Sequence, residues 1–144
     1  MKLPDVNLFL YAYDSRSPRH THARDWLEET LSGTETVGLA WIVLLAFVRL
    51  STRSIVVERP LDIDGAIELV QSWLNQPCVT VVNPTERHPA VLRELLHPLG
   101  TAGNLTTDAH LAALAIEHGA QLCSSDTDFA RFEGLRWEDP LQRT

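Results

Sequence analysis

Residues Gly103–Phe129 read GNLTTDAHLAALAIEHGAQLCSSDTDF, and this stretch decides the fold. Two candidate N-caps, Thr106 and Thr107, precede a run composed almost entirely of alanine, leucine and isoleucine, which predicts a buried helix. Gly119 is expected to end that helix, and a short apolar strand follows it. The stretch therefore places Asp108 at the start of a helix and two further acids just after the end of a strand.

The patterns on either side of this stretch predict strands and helices in alternation. Helices are expected at 7–13, 20–31, 41–50, 62–74, 86–96 and 106–118, the fifth starting a residue or two later if Pro89 is to lie in its first turn. Strands are expected at 2–6, 79–82, 121–123 and 135–137, with a strand or an extended lead-in at 36–39 and a loop at 51–60. This alternation predicts an α/β fold with a mostly parallel sheet covered on both faces. The chain has no repeat and no linker, so we expect residues 1–144 to form a single domain.

The composition limits the classes of function. The chain has 144 residues and a formal net charge of −7, which argues against a protein that coats nucleic acid through a basic surface. Its most apolar run, Leu39–Val48, is half the length of about 20 residues that a membrane span requires. Cys78 and Cys123 lie in apolar, strand-like contexts without a zinc-binding pattern, so reduced thiols and a cytoplasmic location are expected.

Four acids are predicted to meet at one edge of the sheet. Asp5 follows the first strand, Asp108 opens a helix, and Asp126 and Asp128 follow a later strand. In open α/β sheets ligands bind beyond the carboxyl ends of the strands. Two carboxylates about 4 Å apart repel by about 4 kcal/mol at an effective dielectric of 20, so such a cluster requires a cation or protonation. Hard divalent ions such as Mg²⁺ and Mn²⁺ prefer carboxylate oxygens.

Each acid also has an ordinary structural explanation. The helix dipole favours Asp108 in a first turn without any function. Asp126 and Asp128 have the composition of a turn, and Asn7 could simply cap the first helix. Asp5 is harder to explain in this way, because it interrupts an apolar opening at a strand end.

Three motifs carry a resemblance to a known family. They are Asp5-Val-Asn7, Thr107-Asp108-Ala-His-Leu-Ala-Ala-Leu-Ala and Ser124-Ser-Asp126-Thr-Asp128-Phe129. In this order they resemble the PIN domain, and more narrowly the VapC toxins of bacterial toxin–antitoxin pairs. The resemblance covers essentially the whole chain. It implies a three-layer α/β/α fold, an endoribonuclease that depends on Mg²⁺ or Mn²⁺, a homodimer, and inhibition by a VapB-type antitoxin.

The resemblance also implies roles for individual residues. The expected catalytic acids and metal ligands are Asp5, Asp108 and Asp126, with Asp128 as a further acid that often acts through water. Asn7 and Ser124 are expected to orient the acids through hydrogen bonds.

One position departs from the family pattern. Many members carry a glutamate in the central helix within a pattern like Ala-Glu-Phe-x-Arg, whereas residues 45–49 here read Leu-Ala-Phe-Val-Arg. Ala46 therefore stands where that acid would be. Its absence is expected to weaken metal binding or to leave one ion with more waters, and it puts a two-metal mechanism in doubt. Arg49, at the end of the same helix, is the arginine expected nearest the pocket and a candidate contact for RNA phosphates.

Three hypotheses about function remain open from the sequence. The first is a ribonuclease in which a metal-activated water cleaves an RNA phosphodiester bond. The second is a degenerate PIN domain that binds RNA or a partner protein without catalysis, because of Ala46. The third, a phosphoaspartyl enzyme or receiver domain, fits poorly, since Asn7 replaces the second acid and the only lysine is Lys2.

Histidines and tryptophans are given structural roles. His20, His22 and His110 are expected to be solvated, as histidines near helix starts often are. The tryptophans of the predicted helices are expected in the core or in an interface, because they lie on apolar faces; they are Trp26, Trp41 and Trp73.

Overall fold

The centre of the fold is a sheet of five short strands. The computed structural model describes residues 1–142, so the end of the predicted domain lies outside the described residues. The strands are β1 (Lys2–Pro4), β2 (Val37–Leu39), β3 (Val79–Val81), β4 (Gln121–Cys123) and β5 (Trp137–Glu138). They lie in the order β3-β2-β1-β4-β5 and every pair is parallel. The predicted fold class is confirmed, with a sheet that is wholly parallel.

Within residues 1–142, six α-helices cover this sheet in two groups. They are α1 (Val6–Tyr13), α2 (His20–Ser32), α3 (Trp41–Ser51), α4 (Ile63–Leu74), α5 (His88–Leu96) and α6 (Thr106–Glu117). Helices α1 to α4 pack on one another, whereas α5 packs on α6. The chain runs outward from β1 to β3 and then returns to the other side of β1 for β4, so right-handed connections place the two groups on opposite faces. The result is a three-layer α/β/α arrangement.

The core lies between β1 and the helices on each side. Leu3 and Leu122 are fully buried and lie in register on the adjacent strands β1 and β4. An aromatic cluster fills the space between α1, α3 and α4: the Trp73 ring centroid lies 4.5 Å from that of Phe9 and 4.7 Å from that of Phe47. The three inner strands, β1, β2 and β4, are buried along most of their length, as expected for a parallel sheet that helices cover on both faces.

Helix and strand ends differ from the sequence prediction in several places. Strand β1 ends at Pro4 because the next residue, Asp5, caps α1 with its own side chain. The N-cap of α6 is Leu105, not a threonine, since the Thr106 hydroxyl donates to the carbonyl of Gly103, 2.8 Å away, in a preceding 3-10 turn. Gly119 follows α6 with φ +62°, so the predicted helix stop is confirmed.

Other boundaries move by one or two residues. The fifth helix begins at His88 with a proline in its first turn, as the sequence required. The last strand lies at Trp137–Glu138, later than predicted, and β3 ends one residue earlier than predicted. Strands of two or three residues have too few side chains for alternation to define their ends.

Two histidines occupy different environments from those predicted, and of the two environments predicted for Trp41 the structure excludes the core. His20 is half-buried, and its Nδ1 lies 2.9 Å from the carbonyl oxygen of Tyr11. His110 is also half-buried, in a hydrogen-bonded network. Trp41 is 47% exposed and so does not belong to the core. Among the helices of residues 1–142, none combines the length and the apolar character that crossing a membrane requires.

Candidate metal centre

Strands β1 and β4 are neighbours in the sheet, and the chain segments that follow them diverge. Strand β1 leads through Asp5 into α1, and β4 leads through Ser124 and Asp126 into a 3-10 turn at Thr127–Arg131. Strand order reverses between these two strands, and such a reversal opens a crevice at the carboxyl edge of a parallel sheet. The acids predicted from the sequence come from the segments around this crevice.

Asp5 is the most buried of the four acids, with 9% of its surface exposed. Its Oδ1 accepts a hydrogen bond from the Val6 amide at 2.7 Å, and its Oδ2 accepts one from the Ser124 hydroxyl at 2.7 Å. Desolvation by burial raises the pKa of Asp5, although both hydrogen bonds favour its ionised form and oppose that rise. The carboxylate is therefore held in one orientation before any ligand binds.

The Ser124 hydroxyl connects the two strand ends. It donates to Asp5 and accepts from the Asn7 side-chain amide and the Asp126 backbone amide, both at 3.0 Å. The Asn7 side-chain oxygen accepts from the Ser125 amide at 3.3 Å. The contacts predicted for Asn7 and Ser124 are thus present in the structure, and Ser124 is completely buried.

Three of the acids form a close group. Asp108, Asp126 and Asp128 can each present a carboxylate oxygen such that the three atoms lie within 4.8 Å of one another. Asp126 also caps the 3-10 turn, with its Oδ1 accepting from the Asp128 amide at 2.9 Å. Asp128 lies 3.6 Å from the Arg131 guanidinium in a partly exposed ion pair. Asp5 lies outside this close group but lines the same cavity as Asp108 and Asp126.

The environment of Asp108 raises the pKa of its carboxyl group. Its pKa rises from 3.8 to about 6, first because of desolvation and then because of the negative charges of Asp126, Asp5 and Asp128. A raised carboxyl pKa means that the folded protein resists ionising this group. A bound cation would relieve that resistance, since it neutralises the repulsion directly.

The donor set suits a hard divalent cation. Every side chain in the close group offers carboxylate oxygen, the ligand that Mg²⁺ and Mn²⁺ prefer. The neighbouring hydrogen bonds fix how Asp5 and Asp126 are oriented, as outer contacts do in many metal sites. Asp108, Asp126 and Asp128 could hold one such ion, with Asp5 beside them.

A cavity of about 220 Å³ adjoins the acids. Besides Asp5, Asp108 and Asp126, it is lined by Ala46 and Arg49 of α3. Arg49 forms no ion pair with any other residue in the 1–142 range. The sequence prediction that Arg49 lies near the pocket is consistent with this position.

A second polar network, which the sequence analysis missed, joins α5 to α6. The Glu117 carboxylate is fully buried and accepts from the Thr85 amide at 2.8 Å and the Thr85 hydroxyl at 2.6 Å. It also contacts His88 Nδ1, and His88 Nε2 lies 2.9 Å from His110 Nδ1. Desolvation pushes the pKa of Glu117 upward, but the hydrogen bonds from Thr85 and His88 bring it below its usual value. Because its hydrogen-bonded pairs are 22 to 32 residues apart along the chain, no local pattern reveals the network.

A family model for the PIN domain matches residues 2–135. The chain is also 49% identical over 140 residues to Ribonuclease VapC37 of Mycobacterium tuberculosis, a match that covers 97% of each chain. The chain belongs to the PIN-domain family, among the VapC ribonucleases. Ribonuclease VapC33 of the same species is 44% identical over 142 residues, or 99% of each chain.

Solved structures share the fold of this PIN domain. VapBC2 from Rickettsia felis, bound to a DNA fragment from its promoter, gives a TM-score of 0.69 at 20% identity, covering 95% of this chain and 96% of that chain. VapBC-1 from nontypeable Haemophilus influenzae gives the same TM-score at 16% identity, covering 98% of each chain. At these identities the likeness supports the α/β/α architecture.

Proposed function

We propose that this PIN domain is the toxin of a VapBC-type pair, a divalent-metal-dependent endoribonuclease that cleaves RNA phosphodiester bonds. The observation that carries the proposal is the group of three carboxylates within 4.8 Å at the point where strand order reverses. Its relatives at 49% and 44% identity are named ribonucleases, and both match nearly the full chain. The family model spans residues 2–135, which supports treating residues 1–144 as one domain.

The proposed cofactor is Mg²⁺ or Mn²⁺, held by Asp108, Asp126 and Asp128 with Asp5 beside them. When bound, such an ion supplies a nucleophilic water at neutral pH and stabilises negative charge on the phosphate. Asp5, Asp108 and Asp126 are the proposed catalytic acids. Ala46 leaves this site without the carboxylate that the family pattern supplies, so we propose one firmly held ion.

The protein's own residues prepare the site before RNA arrives. Ser124 fixes the Asp5 carboxylate through a 2.7 Å hydrogen bond, and Asn7 holds the Ser124 hydroxyl in turn. Positioning of this kind lowers the barrier because the groups need not reorganise during the reaction. Arg49 lines the cavity and has no ion-pair partner within residues 1–142, and it is proposed to contact an RNA phosphate, which offsets part of the repulsion between RNA and the acids.

The proposed partners are RNA, a VapB-type antitoxin and a second copy of the chain. Two of the structures with this fold are VapBC complexes, which supports the antitoxin. With a net charge of −7, the protein suits a partner segment that is basic. Because its proposed substrate is cellular RNA, we place its action in the cytoplasm.

The test is cleavage of a mixed RNA pool by purified, antitoxin-free protein in Mg²⁺, in Mn²⁺ and in EDTA. Discrete fragments are expected only with metal, and Asp5→Asn and Asp108→Asn should abolish them. Asp64→Asn is the matched control, because Asp64 is an exposed acid in the first turn of α4, outside the site. Full activity in both Asp5→Asn and Asp108→Asn would refute the proposal.

The second candidate is a degenerate PIN domain that binds RNA or a protein without catalysis. The observation that favours it is Ala46, which lines the cavity where the family pattern has glutamate. In that case the wild-type protein would cut no RNA and show no metal-induced rise in melting temperature. Cleavage that appears only in Ala46→Glu protein would support this second function.

A further inference from the structure

The cavity beside the acids has a second, apolar side. In addition to its acids it is lined by aliphatic side chains, most of them from α3: Ile42, Val43, Ala46, Leu50 and Leu111. Val43 and Leu111 are almost completely buried, which makes this side part of the packed core. A glutamate at position 46 would extend into this space with a charged group, whereas alanine contributes a single methyl. The site thus combines a place for a cation with an apolar recess.

The volume indicates what could fit. At about 220 Å³ the cavity is smaller than the roughly 300–1,000 Å³ of pockets that enclose a whole drug-sized ligand. It is suited to part of a nucleotide. A phosphate is excluded from the aliphatic side, because burying an unpaired charge there is costly. A nucleobase, by contrast, has two apolar faces and gains from leaving water.

The covalent structure of RNA connects the two sides. If a phosphate lies at the acids, the base of the attached nucleoside is separated from it by the ribose, a few bonds away, so the adjoining recess is a place that this base could occupy. Arg49 and Thr107 provide polar groups in the same lining, for a neighbouring phosphate or the edge of the base. An apolar pocket with a few polar groups is the usual form of a site that orients a ligand.

We propose that this recess binds the nucleoside next to the scissile phosphate, and that Ile42, Ala46 and Leu50 determine which base is accepted there. The inference rests on the proposed ribonuclease function and extends it to the choice of substrate. The alanine at position 46 then has a function of its own, since it opens the space in which the base lies.

Ala46→Leu tests the recess by filling it. We expect KM for a short RNA oligonucleotide to rise by about tenfold or more. In an apolar pocket, a difference of a single methylene group changes the discrimination between two substrates by at least that factor. The base preference beside the cut, mapped from fragment ends, should change as well. The rise of melting temperature in Mn²⁺ should persist, since no acid has been altered. Ala90→Leu is the matched control, the same substitution at an exposed position of α5.

The outcomes distinguish failure of the recess from failure of the ribonuclease function. Unchanged KM and base preference in Ala46→Leu protein would overturn the recess while leaving the ribonuclease function intact. If Ala46→Leu protein fails to fold, Ile42→Ala enlarges the recess instead and should broaden the choice of base; an unchanged choice would overturn the inference. If wild-type protein binds RNA without cutting it, the ribonuclease function fails, and weaker binding by Ala46→Leu than by Ala90→Leu still supports the recess. Absence of both binding and cleavage refutes both.

Discussion

Replacing Asp108 with asparagine is expected to stabilise the protein in EDTA and to remove the stabilisation that a divalent cation confers. Asparagine has nearly the same size and shape, so the change removes charge with little change in packing. The carboxylate oxygens of Asp108, Asp126 and Asp128 can approach within 4.8 Å, close enough for strong mutual repulsion. The same variant should therefore have opposite effects on stability in the two conditions.

The magnitude follows from this spacing. Two unit charges 4.8 Å apart interact by about 3.5 kcal/mol at an effective dielectric of 20. Asp108 is only half-buried, so water and salt screen much of this repulsion, and we expect a net gain of about 1 kcal/mol. For a chain of this length that corresponds to a rise in melting temperature of about 3–4 °C in EDTA.

The effect should depend on pH. The pKa of Asp108 is about 6 in the folded protein against 3.8 for the free group, so the folded state holds this proton more tightly than the unfolded state. The free energy of unfolding of the wild type should therefore fall as pH rises from about 4 through 6. Asparagine does not titrate, so the advantage of Asp108→Asn should be present at pH 8 and absent at pH 4.

The assay is thermal unfolding of wild type, Asp108→Asn and Asp64→Asn in EDTA and in Mn²⁺. Asp64 lies in the first turn of α4, so Asp64→Asn measures the loss of the favourable helix-dipole interaction, about 0.3–1 kcal/mol, without the acid cluster. An Asp108→Asn protein that melts below Asp64→Asn in EDTA would refute the repulsion argument. A wild-type rise in Mn²⁺ that survives in Asp108→Asn would refute its part in metal binding.

Two further substitutions test the packing that supports the site. Glu117→Gln should lower the free energy of unfolding by about 1–3 kcal/mol in urea at pH 7, because a neutral amide accepts weaker hydrogen bonds from Thr85 than the buried carboxylate does. Since the pKa of Glu117 is lowered, this loss should shrink as pH falls below the free value of 4.5, and a loss that is constant with pH would contradict it. Gly38→Ala should cost about 1–3 kcal/mol, because its new Cβ would lie 2.9 Å from Val82 Cγ1 and 3.1 Å from Met1 Sδ. The loss of stability caused by Gly38→Ala should be smaller in a Val82→Ala background, where Cγ1 is absent. An equal loss in that background would show that the strain does not come from the contact with Val82.

The order of elements could be predicted because each helix carries its own periodic signal. Helix α6 was recognised from its run of alanine and leucine, and Gly119 marked its end through the need for a positive φ. The N-cap of α6 could not be predicted, since it depends on the 3-10 turn at Gly103–Leu105 that runs directly into the helix. Two adjacent threonines suggest a cap only if the preceding chain is extended.

The candidate site could be anticipated in part. Acids that follow strand ends converge in a parallel sheet whatever the lengths between them, so Asp5 and Asp126 could be brought together from the sequence. Which acids form the close group, and which one is fixed by hydrogen bonds, could not be predicted. The structure groups Asp128 with Asp108 and Asp126, and it places Asp5 in a buried set of hydrogen bonds. That distinction depends on side-chain directions in a 3-10 turn, which carries no periodicity.

The apolar side of the cavity was visible in the sequence without being recognised. Ile42, Ala46 and Leu50 are spaced four residues apart, which places them along one face of α3. From the sequence, Ala46 was interpreted only as a missing ligand. The structure shows that this face lines the same cavity as the acids. Helix α3 therefore presents an apolar surface at the position where the family pattern has a carboxylate.

The presence of alanine instead of glutamate at position 46 has two opposing consequences for the site. A carboxylate at position 46 would add one more negative charge beside Asp5 and Asp108, and each close pair costs several kcal/mol before screening. Alanine therefore makes the metal-free site more stable, but a cation bound there would have fewer protein ligands and more waters. An ion held in this way is more sensitive to its concentration in solution, so substrate contacts must contribute more to assembling the reactive complex. A recess that binds the adjoining nucleoside supplies such a contact, and the loss of a ligand and the gain of a base-binding surface then follow from the same residue.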